Sequence, residues 1–492
     1  MVMNILMNLT LYSPELILIL TLGFSFTIHL ILKNRVITLS LVVFGLLAAA
    51  LDILVLYAYP GQLYFSSQLS HDVFGLFFKL LFLISCLLTL IFSYDSHEIH
   101  PDRFGEFTLL LLAVTIGLST LVAASHLLTL YLSLELVSIT SYVLAGYRRE
   151  HLLSNEAAFK YLLYGAFASG TLLYGLSLLY GTTGNLSFYS IHASLNSAYI
   201  DPFNLYAILF MIFVGFAFKM SAVPFHMWAP DVYQGSPTPV AAFFTVAPKI
   251  AGFAIFIRFF YLIFSNETVV PGQWEPLPYL NWASVLALLS AATMTLGNLS
   301  ALFQKNAKRM LAYSSIAHAG YMMMGLVVLN QTGLSAILFY ALVYVCMNLG
   351  AFFVVSVLSN HFQSEEISLF KGLGWHSPFL ALCMTFFLFS LTGLPPLGGF
   401  IGKVYLFWAL VSKELYWLLW VGILNTVISL YYYAYIVKEM FLERPSSKMS
   451  LQVPYVQQAI LGMLAFALIV FGLYWEPFYI WIQSSLTFTI FQ

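Results

Sequence analysis

Val214-Gly215-Phe216-Ala217-Phe218-Lys219-Met220-Ser221-Ala222-Val223-Pro224 sets a single lysine into an otherwise apolar run and follows it, five residues later, with a proline. A helix that crosses a bilayer needs about 20 apolar residues, and a lysine at its centre costs about 2.5 to 3.5 kcal/mol on an insertion scale. Proline removes a backbone donor and clashes with the preceding turn. Inside a membrane, broken backbone survives only where it lines protein or water. A lysine beside such a break is therefore expected to have water or carbonyl partners, as in transporters built from discontinuous helices. Two more lysines have the same setting: Lys249 follows Pro248, and Lys403 follows Leu394-Pro395-Pro396-Leu397-Gly398-Gly399.

The rest of the chain demands a membrane. Of 492 residues, 61% are hydrophobic, 17% aromatic and 8% charged, against about 25% charged in soluble domains; the mean hydropathy is +0.90. This excludes a water-soluble protein and makes one polytopic domain the expectation. With 19 basic and 20 acidic residues, no basic footprint for nucleic acid is present. Cys86, Cys346 and Cys383 lie in apolar stretches without C-x-x-C spacing, so neither a disulfide framework nor a zinc or iron-sulfur site is expected. The N-terminus lacks a basic region and an obvious cleavage site and reads as a retained first helix.

Polar and Pro/Gly punctuation divides the chain into fourteen spans, near residues 14–32, 36–58, 73–93, 106–124, 127–146, 157–181, 204–225, 238–264, 280–303, 310–329, 334–359, 377–411, 415–441 and 455–482. Lys and Arg accumulate in cytoplasmic loops. Odd-numbered loops and their helix edges hold Lys33, Arg35, Arg103, Arg148, Arg149, Lys160, Lys305, Lys308, Arg309, Lys371, Lys438, Arg444 and Lys448, whereas even-numbered loops hold only Lys413. Any single miscounted helix would destroy that bias. It supports fourteen spans with both termini on the outer side.

The charges left inside the spans are Asp52 and Glu135 against Lys79, Lys219, Lys249, Arg258 and Lys403, with His318 in the tenth span. Such groups are expected to face the bundle interior or water, usually paired, and to be functional. Arg258 and Lys79 have the alternative of snorkelling to a polar surface, and Asp52 that of a neutral buried acid or a contact to another subunit. Glu135, in Leu134-Glu135-Leu136, and Lys219 lie too deep for snorkelling. Desolvation lowers a lysine's proton affinity and a nearby carboxylate restores it, so shielding or moving Glu135 could load and unload a proton on Lys219. Lys249 and His318 are available as intermediates, although His318 reads equally well as a satisfied helix histidine.

Gly398-Gly399-Phe400-Ile401-Gly402-Lys403-Val404 fails the spacing of a phosphate loop, with no Ser or Thr after the lysine, which argues against nucleotide binding. No histidine pairs are placed for haem, so redox chemistry is expected in other chains. The Tyr431-Tyr432-Tyr433 run reads as interface and packing aromatics.

Ala222-Val223-Pro224-Phe225-His226-Met227-Trp228-Ala229-Pro230-Asp231-Val232-Tyr233-Gln234-Gly235-Ser236-Pro237-Thr238-Pro239-Val240 closely resembles the antiporter-like membrane subunits of respiratory complex I, NADH-quinone oxidoreductase, with Asp231 to Pro237 favouring the subunit N branch. Ser154-Asn155-Glu156-Ala157 with Lys160-Tyr161-Leu162, Lys308-Arg309-Met310-Leu311-Ala312-Tyr313-Ser314-Ser315-Ile316 and Gly393-Leu394-Pro395-Pro396-Leu397-Gly398-Gly399-Phe400 agree with other recurrent segments of that family. The resemblance spans roughly residues 100–440; the first three helices match only in number and hydrophobicity. Similar proteins occur in multi-subunit cation/proton antiporters and membrane-bound hydrogenases, the alternative assignment.

The resemblance implies an all-α polytopic fold with inverted five-helix repeats, helices 4–8 against 9–13, in which helices 7 and 12 are broken. The chain then divides into an N-terminal three-helix segment (1–105), a first repeat (106–264), a second repeat (265–441) and helix 14 (442–492). It also implies proton translocation through Glu135, Lys219, Lys249 and Lys403, with His318 as a possible relay. No cofactor is expected in this chain; NADH, flavin, iron-sulfur clusters and quinone belong to partner subunits. The implied partners are neighbouring antiporter-like and small membrane subunits of the complex, together with lipid. The implied location is a bacterial plasma membrane, otherwise a mitochondrial inner or thylakoid membrane.

Overall fold

The computed structural model describes residues 2–197, 201–278, 280–443, 451 and 453–486, with side chains from residue 5 onward. Arg444 and Lys448, both counted in the odd-loop charge bias, lie outside the described residues. The spans form in the expected order: Ser13–Leu32, Arg35–Leu56, Val73–Tyr94, Phe104–Ala123, Leu127–Ala145, Leu152–Thr183, Pro202–Met220 continued by Trp228–Gly235, Thr238–Ile263, Trp282–Ala301, Ala307–Val327, Gln331–Phe362, Pro378–Thr392 continued by Gly398–Ser412, Tyr416–Phe441 and Tyr455–Leu473. Twelve contain helices long and apolar enough to cross a membrane by length and composition. The remaining two are the twelfth, split into two shorter helices, and the tenth, Ala307–Val327, whose Lys308, Arg309, His318 and serines lower its hydropathy.

Loop contacts test the span count independently. Odd-numbered loops and their helix edges touch one another: Arg148 pairs with Glu98 at 3.0 Å, Lys308 with Glu365 at 2.6 Å, and His97 Nδ1 meets Asn360 Oδ1 at 2.7 Å. Even-numbered ones do the same: Leu69 bridges to Ala124, His126 to Ser187 and Gln273 to Asn330. Two opposite faces result, as successive crossings in alternating directions require.

Several features depart from the sequence reading. The fourteenth span ends at Leu473, and a separate short helix, Glu476–Ser484, follows where one helix to 482 is expected. The sixth and eleventh spans each run 32 residues, about 48 Å at 1.5 Å per residue, longer than the 30 Å hydrocarbon core. Helices Val2–Leu11 and Phe188–Ser197 and two antiparallel hairpins, Gln62–Tyr64 with Leu69–His71 and Ser265–Glu267 with Trp274–Pro276, add to the spans. Both hairpins and the 188–197 helix lie in even-numbered loops, so they cover one face.

The eighth span is buried along its whole length and the eleventh along nearly all of it, whereas the first, second and thirteenth bury only about a third of theirs or less. The molecule is thus organised around the helix that carries Lys249 and the one that packs on the broken twelfth span. Neither Lys79 nor Arg258 snorkels. Lys79 Nζ lies 2.7 Å from Glu15 Oε1, with both side chains buried, and the Arg258 guanidinium takes both oxygens of Asp72 at 2.7 Å while its Nε donates to the Val122 carbonyl at 2.8 Å. A buried charge that loses its partner costs several kcal/mol, which explains why both stay paired inside. Asp52 is half-buried and accepts a hydrogen bond from Ser13 Oγ at 2.5 Å.

Candidate functional site

The two broken spans occupy the fourth place in successive sets of five. In the seventh, Ser221 turns left-handed (φ 56°) and ends the helix at Met220. Its last carbonyls would lack donors. They are served instead by Ala222 N–H on Ala217 O (2.8 Å), Ser221 N–H on Phe218 O (3.1 Å) and the Trp228 indole N–H, also on Phe218 O (3.2 Å). In the twelfth, Gly393 at φ 87° ends the first half, a conformation that glycine adopts freely. Gly399 then approaches so closely that a Cβ would stand 1.8 Å from the Ser390 carbonyl oxygen. At this second break the Gly393 and Leu394 N–H groups both donate to Phe389 O at 2.9 Å.

Each break presents its lysine to the interior. Lys403 Nζ donates to the Thr392 carbonyl at 2.8 Å, the last carbonyl before the break, and lies 4.4 Å from the centroid of the Tyr321 ring. Lys219 differs: its Nζ is buried and has no hydrogen-bond partner among the described residues, and the same holds for Glu135 Oε1. The two do not close an ion pair within 4 Å. Glu135 is also partly accessible, on a face that exposes Leu132, Leu136 and Ile139.

Lys249 sits mid-span in the eighth helix, wholly buried, and donates to both the Ser315 carbonyl and hydroxyl at 2.8 Å. Pro248 deprives the Phe244 carbonyl of its usual donor, and the Tyr233 hydroxyl from the second half of the seventh span takes its place at 3.4 Å. The Tyr233 ring is 6.0 Å from Lys249 Nζ. His318 bridges two tyrosines: Nδ1 meets Tyr340 Oη at 2.6 Å and Nε2 meets Tyr433 Oη at 3.2 Å. Tyr433 also bonds Ser314 Oγ.

Ser314, Ser315, His318 and Tyr321 are spaced along the tenth span so that helical periodicity gathers them towards one side. This side connects Lys249, through Ser315, to the surroundings of Lys403, through Tyr321. The structure thus brings Lys249, His318 and Lys403 to one polar row, while Glu135 Oε1 in the fifth span and Lys219 Nζ in the seventh have no hydrogen-bond partner among the described residues. Sequence reasoning missed Ser315, Tyr233, Tyr340 and Tyr433. The tyrosine run divides: Tyr431 is exposed, as an interface aromatic would be, and Tyr432 and Tyr433 are buried beside the polar row. The recurrence of polar groups at helical spacing around His318 was the available signal.

On the face bearing the basic loops, residues far apart in sequence converge. Asp231 receives Lys160 and Arg309, each at 2.5 Å, and Lys160 also pairs with Glu156 at 2.6 Å. Nearby, Glu98 takes Arg148 at 3.0 Å and the Thr238 N–H at 2.6 Å, while Lys308 holds the Ser236 carbonyl at 2.8 Å. Burial pushes the Glu98 carboxyl up, but Lys308, the Thr238 N–H and Arg148 outweigh it and hold Glu98 below the ordinary glutamate value. These contacts lock the second half of the seventh span and the start of the eighth against the sixth and tenth spans.

A family model described as NADH:quinone oxidoreductase/Mrp antiporter, transmembrane, matches residues 124–429. NADH-quinone oxidoreductase subunit N of Anaeromyxobacter sp. (strain Fw109-5) is 41% identical over 498 residues, covering 96% of this chain and 96% of that protein. The protein of the same name from Chlorobium chlorochromatii (strain CaD3) is 41% identical over 477 residues, covering 95% and 92%. Among solved structures, a chain of respiratory complex I from Thermus thermophilus superposes with a TM-score of 0.80 at 32% identity, over 96% of this chain and 99% of that one.

Proposed function

The chain belongs to the membrane-subunit family shared by NADH:quinone oxidoreductases and Mrp antiporters, and from that membership we propose that it is a proton-translocating membrane-arm subunit of an NADH-quinone oxidoreductase. Electron transfer from NADH to quinone takes place in partner subunits, which carry the flavin and iron-sulfur clusters. This chain moves protons across a bacterial plasma membrane, its basic-loop face inward. Residues 106–264 and 265–441 act as two inverted units, each with one broken helix, flanked by the N-terminal three helices and by helix 14.

The observation that carries the reading is the inequality among the buried lysines. Lys249 and Lys403 rest on neutral oxygens, whereas Lys219 has no hydrogen-bond acceptor among the described residues. A buried ammonium without an acceptor is costly, so a small movement of Glu135 towards or away from it decides whether Lys219 keeps its proton. A proton released there passes along the row through Lys249 and His318 to Lys403. Glu135 lies at the accessible edge of that row, where a neighbouring subunit can act on it.

Lys219→Ala is expected to abolish most quinone-linked proton pumping in the assembled complex. Full pumping by that variant would remove Lys219 from the mechanism. A stand-alone cation/proton antiporter shares the fold, but identity near 41% to proteins named subunit N favours the oxidoreductase. Co-purification of flavin and iron-sulfur subunits supports the oxidoreductase, and a set of small membrane subunits without redox centres supports the antiporter.

A further inference from the structure

A cavity of about 280 Å³ lies where the seventh, eighth and ninth spans meet, near the ends that join the even-numbered loops. Leu209 and Phe213 line it from the seventh span, Trp282 and Val285 from the ninth, and the buried Phe256 and Phe260 of the eighth form its floor. Phe256 and Phe260 stack with centroids 4.1 Å apart, and the Trp282 ring stands edge-on to them at 6.1 and 5.3 Å. The Trp282 indole N–H is already spent on the Phe264 carbonyl at 3.3 Å. At the rim the Tyr206 hydroxyl accepts the Asn281 N–H at 2.9 Å. Val285 is exposed on the open side, so the cavity faces outward from spans that cross a membrane, and its surroundings there are hydrocarbon. One turn of a helix with its side chains fills about 420 Å³, from a pitch of 5.4 Å and a diameter of about 10 Å. A helix of another subunit therefore does not fit inside, whereas a single hydrocarbon chain does.

We propose that this cavity holds one acyl chain of a zwitterionic phospholipid, bound between the seventh and ninth spans as a constituent of the folded protein. Within a membrane, association of apolar groups rests on van der Waals packing. A chain enclosed on three sides by fixed aromatic and aliphatic groups keeps more such contacts than one lying on a flat helix face. The headgroup follows from charge. Anionic lipids are held by clusters of basic residues, but the loops beside the rim, 182–201 and 264–281, contain Asp201, Glu267 and Glu275 and no Lys or Arg. An acidic rim favours a headgroup that carries an ammonium and no net charge. The inference needs only that the chain crosses a membrane, so it stands apart from the proton-translocation reading.

The test uses the whole complex in vesicles of phosphatidylethanolamine and phosphatidylglycerol in equal parts, with a trace of either lipid carrying a diazirine in the middle of one acyl chain. After illumination, label from the phosphatidylethanolamine probe is mapped by mass spectrometry. Peptides holding Leu209, Phe213 and Val285 are expected to carry at least several-fold more of it than the exposed faces at Phe44 and Leu51 of the second span or Trp420 and Val427 of the thirteenth. The phosphatidylglycerol probe is expected to label the cavity several-fold less. Leu209→Trp and Val285→Trp fill the cavity from opposite sides, and each should bring its labelling down to that of the other faces, while unchanged labelling of those faces shows that the variant has folded. In the wild type alone, label spread evenly over all these surfaces overturns the site, and so does a cavity that takes no label because a partner's side chain occupies it. Labelling undiminished in both variants overturns it as well. Stronger labelling by phosphatidylglycerol overturns the headgroup assignment.

Discussion

Lys249 holds Ser315 twice, once at the hydroxyl and once at the carbonyl, each at 2.8 Å. The contact crosses between the two sets of five helices, from the eighth span to the tenth. It is made to neutral oxygens, which accept a proton donor without fixing its charge. A carboxylate in the same place would anchor the ammonium by several kcal/mol in a low-dielectric interior. In the proposed relay, neutral acceptors such as Ser315 would let Lys249 hold or lose its proton, as an intermediate requires.

Ser315→Ala therefore removes one of two acceptors and keeps the other. A net loss of about 1 kcal/mol is typical for one hydrogen bond, and somewhat more when the donor is charged. Pumping is expected to fall several-fold, with assembly near normal. Ser315→Asp is expected to be worse than alanine because it pins Lys249 in its charged form. Proton transport by vesicle-reconstituted complex, compared at equal quinone reductase activity, checks both.

Gly399→Ala tests the geometry of the twelfth span. The added Cβ would meet the Ser390 carbonyl oxygen at 1.8 Å, so the two halves of the helix must separate. Lys403, four residues on, hangs on the Thr392 carbonyl at the other side of the same break. The expected result is a loss of pumping comparable to Lys403→Ala with the complex still assembled, or reduced assembly with a melting temperature several degrees lower. Wild-type pumping and melting would show that the close approach is dispensable.

The sequence carried the span count, the positions of the breaks and the lysines beside them, because each rests on a local rule: about 20 apolar residues per crossing, proline and glycine at interruptions, basic residues on one side. Partners were another matter. Nothing local says that Arg258 meets Asp72, 186 residues away, or that Lys79 meets Glu15, since ion pairs between distant helices depend on packing and not on spacing. The tyrosines around His318 were hidden for a related reason. Aromatic residues at 17% of the chain are mostly packing groups, and only the fold separates buried Tyr433 from exposed Tyr431.

The Glu15 and Lys79 side chains make a buried pair that ties the first span to the third. Breaking such a pair by removing one partner costs about 3 to 5 kcal/mol, whereas replacing both by apolar or neutral groups of similar volume is often close to neutral. Lys79→Met alone is expected to lower the melting temperature of the purified complex markedly. The double variant Lys79→Met with Glu15→Gln is expected to recover most of the loss. Equal melting of the single and double variants would mean that the two charges act separately.

Glu98 gives a prediction in pH. Its carboxyl is held below the ordinary glutamate value in the folded chain, since Lys308, the Thr238 N–H and Arg148 favour the charged form by more than burial opposes it. A group whose folded value lies below its unfolded one adds stability that is fully present above the unfolded value, about 4.3 for glutamate, and is lost as pH falls through the folded one. The wild-type complex is therefore expected to keep this contribution from neutrality down to about pH 5 and to lose it progressively below. Glu98→Gln lacks the titrating group, so it should melt at lower temperature than wild type near pH 7 and approach the wild-type value as pH falls below 4. Thermal melting of both proteins across that range is the measurement, and parallel curves with a constant offset would show that Glu98 does not carry the acid dependence.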